Sequence, residues 1–78
     1  MMTIYKEKCM KIWLDDIRPA PEGYVWCKSV NIAKRTIESA EEPILLIDCD
    51  HDLGNIGKGR IVEIILQGNA ANVQLMYR

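Results

Sequence analysis

Several absences bound this chain before any motif does. No uninterrupted apolar stretch exceeds the four residues of Ile44 to Ile47, far short of the about 20 that cross a bilayer, so no membrane partner is expected. The N-terminus lacks the basic, apolar and small-residue order of a secretory signal. There is no surplus of basic charge either. The formal net charge is −1, and nothing in that balance favours tight, sequence-independent binding to nucleic acid. Cys9, Cys27 and Cys49 are an odd set without C-x-x-C spacing. Oxidised pairing leaves one thiol over, so a reducing, cytoplasmic setting is expected. Structural zinc ligands come in closely spaced pairs, which these cysteines do not form. No internal repeat and no low-complexity tract interrupts the chain.

What remains is ordinary globular material: 78 residues, 49 % hydrophobic and 27 % charged, enough for one small folded domain. Residues 1–9 read as an appendage and residues 10–78 as a single domain. The first strand is Lys11-Ile12-Trp13-Leu14. Ile17 to Gly23 carries two prolines and a glycine, which forbid a regular helix there. Tyr24-Val25-Trp26-Cys27 reads as a second strand. Ser29 caps a helix running to about Glu42, where Pro43 stops it, with Val30, Ala33, Ile37 and Ala40 as its buried stripe and Ile32 off it. Ile44 to Ile47 is apolar without alternation and predicts a central strand covered on both faces. Gly54, Gly57 and Gly59 predict a flexible connector, without the G-K-[ST] ending of a Walker loop. Arg60 to Gln67 reads as a second helix with Ile61, Ile64 and Ile65 inward, ended by Gly68. Asn72 to Tyr77 alternates and predicts a last strand. Trp13 and Trp26, each inside an apolar strand, are expected in the core.

The order β, β, α, β, α, β predicts a small α/β sandwich with a mostly parallel sheet of about four strands. One connection is tight. Only Ile17 to Tyr24 separate the aspartate pair from Val25, whereas a parallel crossover normally takes a dozen residues or more. Either that loop is unusually economical or the second strand is not an ordinary parallel neighbour.

Two strands end in acids. Asp15-Asp16 follows the first, and Asp50-His51-Asp52 follows the third. In an open α/β sheet, ligands bind outside the carboxyl ends of the strands, so both groups are expected at one edge. Two carboxylates at about 4 Å repel by roughly 4 kcal/mol at an effective dielectric of 20, and a bound cation relieves that repulsion. Hard oxygen donors suit magnesium, manganese or calcium. The same residues also fit strand-end caps and turns. Asp48 is a ligand or a strand residue paired with a backbone or arginine partner. His51, between two aspartates, is either a hydrogen-bonding structural residue or a proton donor to a leaving alkoxide. Arg18, in a loop stiffened by Pro19 and Pro21, grips a phosphate bidentately or pairs with Asp15 or Asp16.

The run Lys11-Ile12-Trp13-Leu14-Asp15-Asp16-Ile17-Arg18-Pro19-Ala20-Pro21-Glu22-Gly23, with Trp26 and then Asp50-His51-Asp52-Leu53-Gly54, resembles the cyclic-phosphate processing receiver domain. That family is a variant of the response-regulator receiver, a flavodoxin-like α/β sandwich. The resemblance implies a missing first helix, which accounts for the short connection. It also implies a divalent metal, Mg2+ or Mn2+, on Asp15 and Asp16, with Asp50 at the receiver's phosphoacceptor position and His51 and Asp52 as family-specific additions. The last third departs from receivers. No Ser or Thr follows Ser39 and no Lys follows Lys58, where receivers use a hydroxyl after strand four and a lysine after strand five. The C-terminal strand and helices are expected to be absent, leaving the domain incomplete there.

The leading expectation is metal-dependent processing of phosphate esters, at cyclic phosphate ends of RNA or nucleotides. Asp15, Asp16, Asp50 and Asp52 serve as metal ligands, Asp50 and His51 as catalytic groups, and Arg18 as the phosphate-binding residue. The alternatives are a signalling receiver phosphorylated on Asp50, or a non-catalytic domain of protein association. An unpaired sheet edge also invites a homodimer.

Overall fold

The computed structural model describes residues 9–50, 54–68 and 73–78. Of the expected appendage only Cys9 falls within them. Six elements follow in chain order: β1 (Met10–Leu14), β2 (Val25–Cys27), α1 (Val30–Ser39), β3 (Ile44–Cys49), α2 (Gly54–Gln67) and β4 (Gln74–Tyr77). The four strands form one sheet in the order β2-β1-β3-β4, and every neighbouring pair is parallel. This is the small receiver-like α/β fold expected from the sequence.

Strand alternation sorts the sheet into two unlike faces. Ile12, Leu14, Cys27, Ile47 and Cys49 are buried on one, packed with Ala33 and Ile37 of α1 and with Ile61 and Ile64 of α2. Each such buried aliphatic side chain contributes roughly 1.5–3 kcal/mol. Both helices therefore cover the same face. The other face carries Lys11, Trp13, Trp26, Leu46 and Asp48, all partly exposed, and no helix covers it among the described residues. The sheet is thus one half of a sandwich, and the expectation that β3 is covered on both sides is corrected. The unalternating run has a different cause. The register slips between Met10 and Lys11, which pair with Ile44 and Leu46. Leu45 is left bulged and 53 % exposed, and the slip lets both Ile44 and Ile47 face the core.

The tight β1–β2 connection proves to be an economical loop. Val25 pairs with Ile12, so the chain returns only two residues' rise, about 7 Å, before pairing again. The loop closes on a turn in which the Tyr24 N–H donates to the Pro21 carbonyl at 3.2 Å. Gly23 has φ +89°, as the third residue of a type II turn requires.

Helix α1 starts where expected. The Ser29 side chain accepts from the Ile32 N–H at 3.1 Å, a cap worth about 1 kcal/mol. It stops at Ser39, three residues short of the expected end, where Ala40 turns to extended backbone, ahead of Pro43, which disfavours helical geometry at Glu42. Helix α2 differs more. It begins at Gly54, so Gly57, Lys58 and Gly59 are helical rather than a flexible connector. Glycine disfavours a helix interior by about 1 kcal/mol each, and the burial of Ile61 and Ile64 against the sheet outweighs that local preference. Gly68 ends α2 as expected, its N–H donating to the Ile64 carbonyl at 3.0 Å. A Cβ on it would lie 3.1 Å from that oxygen and 3.3 Å from Cγ2 of Ile37, so it also lets the two helices approach.

Candidate metal centre at the carboxyl edge of the sheet

Register decides what meets at the edge. Leu14 pairs with Cys27 on one side and with Cys49 on the other, and Cys49 pairs with Tyr77. All four strands end on one line. The next residue in each is charged: Lys28, Asp15, Asp50 and Arg78. The edge is tied by backbone bonds, the Asp15 N–H donating to the Cys27 carbonyl at 3.1 Å, that of Asp50 to Leu14 at 2.9 Å and that of Arg78 to Cys49 at 2.8 Å. Of the juxtaposition expected from the sequence, Asp15, Asp16 and Asp50 are brought together. One carboxylate oxygen from each of Asp15, Asp16 and Asp50 lies within 4.8 Å of the other two. No other group of this kind occurs among the described residues.

The three aspartates are not equivalent. Asp15 is only 2 % exposed. Its Oδ1 accepts the backbone N–H groups of Ile17 and Arg18, each at 2.8 Å, which folds the start of the loop around the carboxylate. Its Oδ2 accepts from Nη2 of Arg78 at 2.9 Å. The Arg18 N–H above all, then that of Ile17 and the Arg78 guanidinium, hold the Asp15 carboxyl below its ordinary range against the opposing effect of burial. Asp16 is exposed and Asp50 half-buried. Three hard oxygen donors, one of them held ionised, fit a magnesium- or manganese-type cation.

Both tryptophans serve this edge, which corrects their assignment to the core. They lie half-buried on the open face of the sheet. Nε1 of Trp26 donates to the Asp15 carbonyl at 2.7 Å, and Nε1 of Trp13 to the Arg18 carbonyl at 2.9 Å. The acidic start of the loop is thus fastened by indole donors at Asp15 and at Arg18. Tyr24 packs edge-on against Trp13, ring centroids 5.8 Å apart.

Arg78 is the residue that sequence reasoning passed over. Its guanidinium sits 3.5 Å from the centre of the Trp13 ring. Nη1 donates to the side chain and carbonyl of Asp48 at 2.9 and 3.2 Å, and Nη2 donates to the Leu14 carbonyl at 3.2 Å as well as to Asp15. Nε is buried and meets no hydrogen-bond partner among the described residues. Asp48 is accordingly a strand residue with an arginine partner. A signal for Arg78 was present: it is the first residue after a strand, as Asp15 is after β1 and Asp50 after β3.

Arg18 lies exposed on the loop, and Asp15 takes its cationic partner from Arg78 instead. Two expected site residues, His51 and Asp52, lie outside the described residues. Cys27 and Cys49 are buried thiols on the helix-covered face. Burial, helped by the Asp48 charge, pushes the Cys49 thiol up to about 11, which suits inert core residues rather than nucleophiles.

The model of one family, the cyclic-phosphate processing receiver domain, matches residues 10–75. The chain belongs to that family. The match runs from the first residue of β1 into β4 and so takes in all three clustered aspartates of this receiver domain. No curated protein and no solved structure matches the chain. No helix among the described residues is long and apolar enough to cross a membrane.

Proposed function

We propose that this domain processes phosphate esters with the help of a divalent cation, magnesium or manganese, and that its substrates are cyclic phosphate ends of RNA or nucleotides. The observation that carries the reading is the convergence of Asp15, Asp16 and Asp50 within 4.8 Å at the carboxyl edge of a cyclic-phosphate processing receiver domain. A cation held there supplies Lewis acidity toward a phosphoryl oxygen. The chain's own residues supply the rest. Asp15 is fixed in place and ionised by its backbone donors, while Asp16 and Asp50 present their oxygens from the ends of β1 and β3, with Asp52 as a further ligand. Arg18, on its proline-stiffened loop, offers two parallel N–H groups to a phosphate. His51, next to Asp50, moves the proton to or from the departing hydroxyl.

The direct test is hydrolysis of 2′,3′-cyclic nucleotides and of RNA with a cyclic phosphate end, with Mg2+, Mn2+ or chelator. Activity that needs the cation and is lost in Asp16→Asn and Asp50→Asn supports the reading. Full activity in either variant removes it.

A second reading, a signalling receiver phosphorylated on Asp50, is favoured by the place of Asp50 at the end of β3 beside the acidic pair. Incubation with acetyl phosphate followed by intact-mass measurement decides it. The outer edge of β4 supports self-association. Gln74–Tyr77 carries no charge, proline or bulge to discourage pairing with a second copy, and sedimentation across a concentration series tests this homodimer. The buried thiols of Cys27 and Cys49 are consistent with a reducing, cytoplasmic setting.

A further inference from the structure

Arg78 occupies the acidic edge in a way that bears on any cation arriving there. Asp15 has spent Oδ1 on two backbone donors at 2.8 Å. Its remaining oxygen, Oδ2, is held by Arg78 at 2.9 Å. An ion approaching the inner side of the cluster therefore meets a carboxylate oxygen already paired with a positive charge. A guanidinium and a divalent ion sharing one oxygen repel strongly at such range. Arg78 has somewhere else to go: Asp48 Oδ1 accepts from its other terminal nitrogen at 2.9 Å, and among the described residues its Nε has no partner to lose.

We infer that Arg78 is a resident counter-ion of the cluster which competes with the divalent cation for Oδ2 of Asp15. Cation binding moves the guanidinium off Asp15 and onto Asp48 alone. The competition sets the affinity of the site, and because Arg78 stacks on Trp13 at 3.5 Å, the exchange is visible from that ring. This rests on the metal reading above and adds to it how occupancy is regulated. Arg78 acts through Asp15, so it is a positioning residue rather than a catalytic one.

The test is calorimetric titration of Mn2+ and Mg2+ into the full chain, wild type beside Arg78→Gln and Arg78→Lys. Removing one like charge from beside the ion is expected to tighten binding about tenfold in Arg78→Gln. Arg78→Lys, which keeps the charge, stays within about threefold of wild type. A purely structural clamp gives the reverse, weaker binding in Arg78→Gln, and that result overturns the inference while leaving the metal site standing. Equal affinity in all three proteins overturns it as well. Should Arg78→Gln fail to fold, wild type alone decides. Titration with Mg2+ must shift the NMR signals of the Arg78 Nε–H and the Trp13 indole N–H along the calorimetric isotherm, and binding without those shifts refutes the exchange. Absence of any cation binding to wild type removes the metal reading and this inference together.

Discussion

The two faces of the sheet share a backbone and do different work. On the covered face, Ile12, Leu14, Ile47 and Cys49 lie against the two helices with almost no exposure and no charge. On the open face, Trp13, Trp26, Asp48 and Arg78 are partly exposed, and each of them contacts the acidic edge or holds something that does. One face supplies burial, which is non-directional and proportional to area. The other supplies hydrogen bonds and charge, which are directional and fix a loop in place. Fold and site are thereby separable: the first can be weakened from one side and the second detuned from the other.

The separation breaks if substitutions on the two faces act alike. Ile47→Ala, at the centre of the covered face, is expected to cost about 2–5 kcal/mol, enough to unfold much of so small a domain, as urea or thermal denaturation will show. Acid sensitivity should trace to Asp15. Its carboxyl is held below the ordinary range, so the stability it contributes is present above about pH 4, where an unfolded aspartate ionises, and is lost as pH falls through the lower folded value. In Asp15→Asn the acid limb of a circular-dichroism titration should be flatter than in wild type, and an unchanged limb places the acid-labile group elsewhere. Trp26→Phe, on the open face, keeps the ring and loses the indole donor to Asp15. It should cost about 1 kcal/mol of stability while weakening Mn2+ binding severalfold, because the loop it fastens carries Asp15 and Asp16. Smallest of all is Leu45→Gln at the bulge, where 53 % exposure leaves stability within about 0.5 kcal/mol of wild type.

The same contrast explains what could be read from the chain in advance. The acidic edge was legible because the apolar runs of β1 and β3 each give way to aspartates at the strand end, and parallel neighbours put such ends together. The family motif lies in those residues, so the fold class was legible with it. Less visible was anything set by tertiary context. Gly54, Gly57 and Gly59 signal a loop by local preference, yet Ile61 and Ile64 draw the whole segment into a helix. The run Ile44 to Ile47 imitates a doubly covered strand because a register slip, invisible in one sequence, replaces the missing alternation. The tryptophans were placed correctly in their strands, but which face they share follows from the helices, both packed on the other side. Arg78 went unread for a related reason: one arginine after a strand acquires meaning only when the register puts it beside Asp15 and Asp48.

The central claim, one shared cation between the ends of β1 and β3, is tested most directly by anomalous diffraction from crystals soaked in Mn2+. A single strong peak in contact with carboxylate oxygens of Asp16 and Asp50 and beside Asp15 is expected. Ordered density for the three aspartates with no peak among them, at manganese concentrations well above physiological, contradicts it.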